Sequence, residues 1–272
     1  MMVYRGLDVG TAKPTPSERA AVRHHLIDVA DPSEDWSVAR FQAAARAAVS
    51  DIEARGRRAL LVGGTGLYVR AVVDDLRFPG EDRAVRARLE AEAAEPDGLA
   101  RLYADLVARD PVAATRVEPG NVRRIVRALE VMEITGLAFS ASGVGLEHHG
   151  DTVFPVRMLG IWLPGAVLHD RIEVRVERMY AAGLLDEVGA LTAPGCPPLS
   201  RTAAQAIGYR EALAVVEGVE PSVDAAREAT ALRTRQFARR QIRWFRRDPR
   251  VVWWGTATNP DLLAPALLEC CR

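Results

Sequence analysis

Apolar residues recur at helical spacing over most of the chain, and short apolar runs interrupt this pattern. The helical spacing predicts helices over 37–55, 83–94, 99–108, 121–135, 167–182 and 224–247, one more across 205–211, and a short one at the C-terminus. The apolar runs predict strands at 58–62, 156–163 and 250–254. A glycine turn follows the first run, and strands that alternate with helices indicate an α/β fold whose parallel sheet is covered by helices.

The middle of the chain lacks predicted strands. From 79 to about 136 the pattern gives helices only. We therefore predict three parts: the first part of an α/β core over 1–78, an all-helical insertion over 79–140, and the second part of the core, with an arginine-rich helix, over 141–272.

The stretch from Val3 to Asp28 has almost no apolar periodicity, which makes it a poor candidate for core packing. Its glycines and proline mark turns, and the polar residues between them are typical of a loop that holds a polar ligand. Lys13, in this stretch, is the only lysine among 36 Lys and Arg residues. A lysine ammonium is a compact point charge, and a site that needs one resists replacement by the larger, planar guanidinium of arginine. Lys13 is therefore a candidate ligand contact. The alternative is a chance survivor on a solvated loop.

Composition excludes several classes of protein. The 272 residues, 49% of them hydrophobic, can bury a substantial core, and the net charge is zero. No apolar run approaches the roughly 20 residues of a membrane-spanning helix, and the N-terminus resembles no signal peptide. Three cysteines form neither a disulfide framework nor a zinc pattern. We expect a soluble, cytoplasmic protein.

Positive charge is nevertheless concentrated locally. Between Asp224 and Arg250, nine arginines stand against three acids, with Trp244 and Phe245 among them. Basic residues with aromatic neighbours are typical of RNA-binding surfaces. Solvated faces with ordinary ion pairs are one alternative. A helix lying on a membrane surface is another, although its apolar face is thin here.

Eight segments in order resemble one family. They are Val3–Pro14, His25–Asp28, Asp31–Ser37, Gly63–Tyr68, Arg123–Glu130, Arg171–Glu173, Gly208–Glu211 and Thr234–Gln241. Singly most are weak, but as an ordered set they are highly specific. The chain resembles the bacterial tRNA dimethylallyltransferases (tRNA isopentenyltransferases) from Val3 to about Trp254.

The resemblance implies transfer of a dimethylallyl group from its diphosphate to the exocyclic amine of the adenosine beside a tRNA anticodon. It implies a P-loop NTPase-like core with a helical insertion, Mg²⁺ on the diphosphate, and the tRNA anticodon arm as partner. We also expect a monomer without membrane contact. The target base must leave its stack. Cations and N–H groups must neutralise the departing diphosphate, and a base must take the amine proton.

The resemblance also assigns residues. Arg175 and Lys13 are expected at the diphosphate, whereas Ile125 and Val126 are expected in the core. No metal ligands are assigned. The positions that resemble tRNA contacts are Thr65, Arg86, Arg123, Arg124, Arg127, Gln205, Gly208, Tyr209, Arg210, Thr234, Arg235 and Gln236.

The chain departs from the family at one point. It contains no G-x-x-x-x-G-K-[ST] phosphate loop. The family's general base is the aspartate of an Asp-Ser pair that would precede the position of Met1. We therefore expect the first strand, phosphate loop and general base to be missing, through a late start codon or a truncated gene. The intact remaining motifs favour the start codon.

This departure leads us to expect little activity from the chain alone. Two alternatives remain open: a non-catalytic remnant that binds tRNA or another RNA, and a prenyltransferase for free adenine nucleotides. The arginine-rich helices disfavour the second alternative, since a mononucleotide does not need them.

Overall fold

The computed structural model describes residues 1–142, 149–256 and 259–265. It separates into two compact units, one of Met1–Val72 with Pro155–Arg272, and one of Val73–Phe154. The predicted insertion, 79–140, falls within the second unit. Most of the predicted C-terminal helix lies outside the described residues. Within the described ranges, no helix has the length and apolar content needed to cross a bilayer.

Helices make up most of the described chain. A 3₁₀ turn at Pro260–Leu263 follows the last strand. In chain order the elements are α1 Pro16–Ala21, α2 Val38–Ala54, α3 Gly66–Val73, α4 Arg83–Ala94, α5 Gly98–Arg109, α6 Pro111–Ala114, α7 Val122–Thr135, α8 Phe139–Ser142, β1 Met158–Trp162, α9 Gly165–Ala181, α10 Leu184–Leu191, α11 Arg201–Ala204, α12 Tyr209–Val216, α13 Val223–Phe245 and β2 Val251–Gly255.

Capping side chains set the starts of several long helices. Ser37 accepts a hydrogen bond from the N–H of Arg40 before α2, and Asn121 accepts one from Arg124 before α7. Each cap satisfies a backbone donor that the first helical turn leaves without a partner. The helices predicted to start near 37, 83, 121 and 224 are confirmed.

The two strands form a parallel pair. Their register runs from Met158 opposite Val251 to Trp162 opposite Gly255, which confirms the strands predicted near 156–163 and 250–254. The strand predicted at 58–62 is wrong, because the structure gives no strand there. Leu60 and Val62 are 76% and 82% exposed. An apolar run becomes a strand only when a neighbouring strand takes up its backbone groups, and no described strand pairs with this one.

The core of the first unit includes the start of the chain. Tyr4 and Leu7 are fully buried, in one cluster with Leu184 and Val188 of α10. The prediction that Val3 to Asp28 is a poor candidate for core packing is therefore wrong. Apolar residues of an irregular segment can be buried one by one, which no periodicity reveals. The segment also contains α1, which Thr15 caps.

The helix predicted across 205–211 is also wrong. Gly208 has φ +93°, a left-handed conformation that glycine adopts without steric cost, and it separates α11 from α12. The Glu211 carboxylate accepts a hydrogen bond from the N–H of Gly208 at 2.7 Å, so α12 begins at Tyr209.

The second unit is a helical cluster around α7. Ile125 and Val126 are buried there as predicted. The Glu130 carboxylate, 0% exposed, accepts hydrogen bonds from the guanidinium groups of Arg86 and Arg127 and from the N–H of Asp82. Burial alone would raise the pKa of Glu130, but these hydrogen bonds outweigh burial and lower it. Glu130 thereby joins α4 to α7.

We predict that Glu130→Gln lowers the free energy of unfolding of this unit by about 2–3 kcal/mol, because two part-buried guanidinium groups lose their counter-charge. The matched control is Glu133→Gln, on the same helix, whose exposed carboxylate pairs with Arg88 of α4. We expect that control to change stability by no more than about 0.5 kcal/mol.

Urea unfolding of the two variants tests this difference. A folded pKa below the ordinary value means that the stabilisation by Glu130 is present above the ordinary carboxyl pKa and is lost as the pH falls through the folded value. The difference in the free energy of unfolding between wild type and Glu130→Gln should therefore become smaller at acidic pH. Equal losses in both variants would contradict the role assigned to Glu130.

Candidate functional site

The polar loop, residues 7–13, is held by hydrogen bonds from within the first unit. The Lys13 side chain is only 4% exposed. Its ammonium donates to the carbonyl of Tyr4 at 2.6 Å and to the carboxylates of Asp8 and Asp28 at 2.5 Å each. An ammonium has three donors, so these acceptors use all of them. Lys13 is a structural anchor of the loop, and contact with a ligand would require it to release one of these acceptors.

Backbone amides of the same loop have acceptors on other elements. One oxygen of Glu187, on α10, accepts from the N–H groups of Asp8 and Val9 at 3.0 Å each. The Tyr209 hydroxyl accepts from the N–H of Gly10 at 3.0 Å and donates to the other oxygen of Glu187 at 2.5 Å. Burial and the Glu187 carboxylate raise the pKa of this phenol, so it stays protonated.

The loop and the segment that follows it contain strained backbone. Ala12, Leu26 and Asp28 have φ of +55°, +61° and +56°, a region that side chains other than glycine rarely adopt. Burial would raise the pKa of Asp28, but hydrogen bonds from Lys13 and Arg19 lower it overall. Strain of this kind persists only where surrounding contacts impose it, and it is concentrated at functional sites.

The glycine turn packs against α13. A Cβ on Gly64 would overlap the Gln241 amide, and one on Gly66 would overlap the Trp244 ring. Thr65, between them, is exposed. At the far end of α3, Gln42 and Arg46 of α2 donate to the carbonyl of Ala71 at 2.7 and 3.1 Å. The turn and the predicted contact Thr65 are thus fixed from both sides.

Helix α9 presents its arginines and its acids on different sides. Glu173 and Glu177 pair with Arg235 and Arg227 of α13, respectively. Arg175 is exposed, and so are Arg171 and Arg178, which lie on the same side of α9 and form one stripe with it. Among the described residues none pairs with these three guanidinium groups. Local ion pairing therefore does not explain this stripe.

Helix α13 carries the larger cationic surface. From residue 235 to 247, at the end of α13 and just beyond it, the arginines occupy a sector of about 140° on a helical wheel of 3.6 residues per turn. Its other side, with Ala226, Thr230 and Ala231, is buried. In the described part of the chain, no carboxylate neutralises the exposed members of this sector. We call these five the arginine face: Arg239, Arg240, Arg243, Arg246 and Arg247.

The predicted contacts at the start of α12 differ in exposure. Arg210 is exposed, and no described side chain pairs with it. Tyr209 is 1% exposed and Gly208 carries the positive φ, so neither presents a side chain to a partner. Gln205 is exposed at the end of α11.

The predicted contacts on α13 and in the second unit also divide into two groups. Arg123, Arg124 and Gln236 are exposed, although the Arg124 guanidinium donates to the carbonyl of Arg116 at 3.3 Å. The other four are half-buried and bind internal acceptors. Arg86 and Arg127 bind Glu130, Arg235 binds Glu173, and the Thr234 hydroxyl donates to the carbonyl of Thr230 at 2.8 Å.

Sequence reasoning missed three glutamates that organise these residues. Glu130 and Glu187 each accept from several donors, and Glu211 binds the Gly208 N–H and lies 3.1 Å from Nε of Arg233. The only available signal was position, since Glu130 and Glu211 stand within segments quoted for the family resemblance. Nothing in the sequence marked Glu187. In the described ranges, no three His, Cys, Asp or Glu side chains gather closely enough to hold a metal ion.

Comparison with known proteins gives a consistent result. A family model described as IPP transferase matches residues 2–248. The tRNA dimethylallyltransferase of Kineococcus radiotolerans is 56% identical over 263 residues, which cover 97% of this chain and 81% of that protein. The tRNA dimethylallyltransferase of Streptomyces coelicolor is 50% identical over 273 residues, covering 99% of this chain and 85% of that protein.

Solved structures agree with these sequences. The tRNA isopentenylpyrophosphate transferase of Bacillus halodurans aligns with a TM-score of 0.65 and 36% identity, over 99% of this chain and 83% of that one. A eukaryotic dimethylallyltransferase acting on tRNA aligns with a TM-score of 0.75 and 25% identity, over 99% of this chain and 70% of that one. The predicted P-loop-like α/β class is confirmed.

We predict that Gly10→Ala lowers the free energy of unfolding by about 1–3 kcal/mol, because the new methyl would overlap the buried Tyr209 ring. The control is Gly63→Ala in the glycine turn, where an added Cβ meets nothing within 4 Å. Urea unfolding of both variants measures the difference, and equal stabilities would show that the Tyr209 ring does not confine the loop.

Proposed function

The chain belongs to the IPP transferase family, and from this premise we propose that it acts on tRNA, transferring a dimethylallyl group to the exocyclic amine of the adenosine beside the anticodon. The donor is dimethylallyl diphosphate. We propose that the protein is cytoplasmic, since tRNA is modified and used in that compartment. We also propose that it is a monomer.

The observation that carries this proposal is the set of uncommitted guanidinium groups. The arginine face of α13 and the Arg171–Arg178 stripe of α9 have no described acid partner, although the chain as a whole carries no net charge. A polyanion supplies the missing counter-charge, and phosphates spaced along RNA fit a row of guanidinium groups. Trp244, 39% exposed beside these arginines, offers a surface on which a base can stack.

For the diphosphate we propose Arg175. Its exposed guanidinium can form two parallel hydrogen bonds to phosphate oxygens without first losing another partner. Lys13 remains a proposal for the same end of the site. Its present acceptors show that a direct contact would replace the Asp8 or Asp28 carboxylate with a phosphate oxygen.

Mg²⁺ is proposed as a partner of the diphosphate. The described residues do not supply a set of three protein ligands. Protein-bound Mg²⁺ often keeps several waters and binds through substrate phosphates, which is how the ion would be held here. The exposed guanidinium groups then stabilise the negative charge of the departing diphosphate.

We propose that these 272 residues transfer the prenyl group slowly. They contain no G-x-x-x-x-G-K-[ST] phosphate-loop motif. A single donor aimed at the charge that develops in a transition state contributes roughly 10²–10³-fold to rate. The exposure of Leu60 and Val62 supports this proposal, since the apolar run after α2 has no strand partner among the described residues. A non-catalytic tRNA-binding protein is the second candidate, and the same observation favours it.

We predict salt-dependent tRNA binding through the arginine face. Replacing Arg239 and Arg243 with Ala should lower the affinity for tRNA. It should also reduce the slope of log K against log salt by about 0.9 per arginine, because one counterion fewer is released on binding for each phosphate contact that is lost. The control is Arg55→Ala, which removes an equally exposed arginine already paired with Asp51. Filter binding over a salt series measures both slopes, and identical slopes would count against this interface.

Catalysis is tested with dimethylallyl diphosphate and unmodified tRNA. We predict turnover at least about 100-fold below that of the Kineococcus radiotolerans relative, because these residues contain no phosphate-loop motif to stabilise the departing diphosphate. AMP should compete poorly with tRNA as acceptor, since it cannot use the arginine face. Turnover near that of the relative would refute the slow-transfer proposal, and preferential use of AMP would refute tRNA as the acceptor. Binding of tRNA without any dependence on the diphosphate would favour the non-catalytic candidate.

A further inference from the structure

The segment Gly208–Glu211 connects the polar loop to α13. Tyr209 contacts Gly10 of the loop, and the next residue but one, Glu211, pairs with Arg233 of α13. Between them Arg210 is exposed. Three successive residues of this segment therefore have three different roles, of which only that of Arg210 suits direct contact with RNA.

We propose that Tyr209 and Glu187 are positioning residues, and that they affect the nucleic acid through the polar loop without touching it. This inference rests on the proposed tRNA function. It changes the role expected for Tyr209, whose ring is 1% exposed and cannot stack on a base without leaving the core. We call the pair the Tyr209–Glu187 clamp.

The clamp satisfies three successive amides of the loop. Glu187 accepts from Asp8 and Val9, and the phenol accepts from Gly10 while donating to Glu187. Each protein group thus holds the other in place. Without the phenol hydroxyl, the Gly10 amide loses its acceptor and Glu187 loses a donor at once.

The loop has little freedom to move while the clamp is intact. The Tyr209 ring lies so close to Gly10 that a Cβ there would overlap it. At the other end of the loop, Lys13 binds Asp8 and Asp28. The Asp8 side chain, 61% exposed, is therefore held at a fixed position, and the same phenol fixes the backbone that carries Arg210.

This arrangement explains why the loop can take part in binding although its cation is occupied. The loop presents a carboxylate and a fixed backbone, and the neighbouring Arg210 supplies the positive charge. Loosening the clamp should weaken RNA binding by misplacing the loop, while the number of phosphate contacts stays the same.

The variants for the test are Tyr209→Phe and Glu187→Gln. Tyr209→Phe keeps the buried ring and removes the hydroxyl, and Glu187→Gln keeps the shape and removes acceptor capacity. The matched control is Tyr180→Phe, which removes a hydroxyl that is hydrogen-bonded to Thr230 between α9 and α13. Arg210→Ala serves as the reference for a lost phosphate contact.

Three measurements are made on each full-length variant: amide hydrogen exchange of residues 8–10, thermal unfolding, and tRNA affinity over a salt series below the unfolding temperature. Tyr209→Phe should speed exchange of the Gly10 amide roughly five- to tenfold, the worth of one hydrogen bond. Its tRNA affinity should fall several-fold with an unchanged salt slope. Arg210→Ala should instead lower the slope by about 0.9. Tyr180→Phe should leave exchange at 8–10 and the affinity unchanged.

Two results would overturn the inference. One is unchanged exchange and affinity in Tyr209→Phe and Glu187→Gln. The other is a salt slope in Tyr209→Phe that falls as far as in Arg210→Ala, which would make Tyr209 a direct contact. A wild-type chain that binds no tRNA would refute the proposed function and the link to RNA, whereas the exchange rates would still decide whether the clamp exists.

Discussion

Carboxylates that accept from several donors at once hold this molecule together. Glu130 accepts two guanidinium groups and an amide, and Glu187 accepts two amides and a phenol. Glu211 connects α12 to α13 through Arg233. A buried or half-buried carboxylate lowers the free energy of the fold only when its oxygens are satisfied, and removing one such acceptor leaves several donors without partners. Elements distant in sequence are therefore fixed relative to one another inside each unit.

The same pairing divides the cations into two groups. Lys13, Arg86 and Arg127 form ion pairs with carboxylates of the same unit and so stabilise the fold. The arginine face and Arg175 remain exposed without described acid partners, and they give a neutral chain a strongly positive surface. The positions of the arginines along the sequence do not show which of them form ion pairs, because pairing depends on the fold. A phosphate-bearing partner is needed only by the second group, and that group defines the surface on which the RNA proposal rests.

The sequence predicted local features better than long-range ones. The starts of α2, α4, α7 and α13 were predictable because a capping side chain acts on amides two or three residues away. The strand expected at 58–62 depended on a partner elsewhere, which local pattern does not contain. The family resemblance located the segment around Tyr209, but resemblance does not report burial. For that reason a phenol in the core was expected at the RNA, and Glu187, 22 residues earlier, was not expected at all.

The backbone is strained in the polar loop and in the segment that follows it, and the clamp opposes the relaxation of this strain. Ala12 and the two residues Leu26 and Asp28 each adopt a left-handed backbone that costs of order 1–2 kcal/mol. Such conformations relax unless neighbouring contacts oppose relaxation, and here Lys13 holds one end while Tyr209 and Glu187 hold the other. The strained backbone holds exposed groups at fixed positions. A binding site benefits from this, because less ordering of the loop is required when a ligand binds.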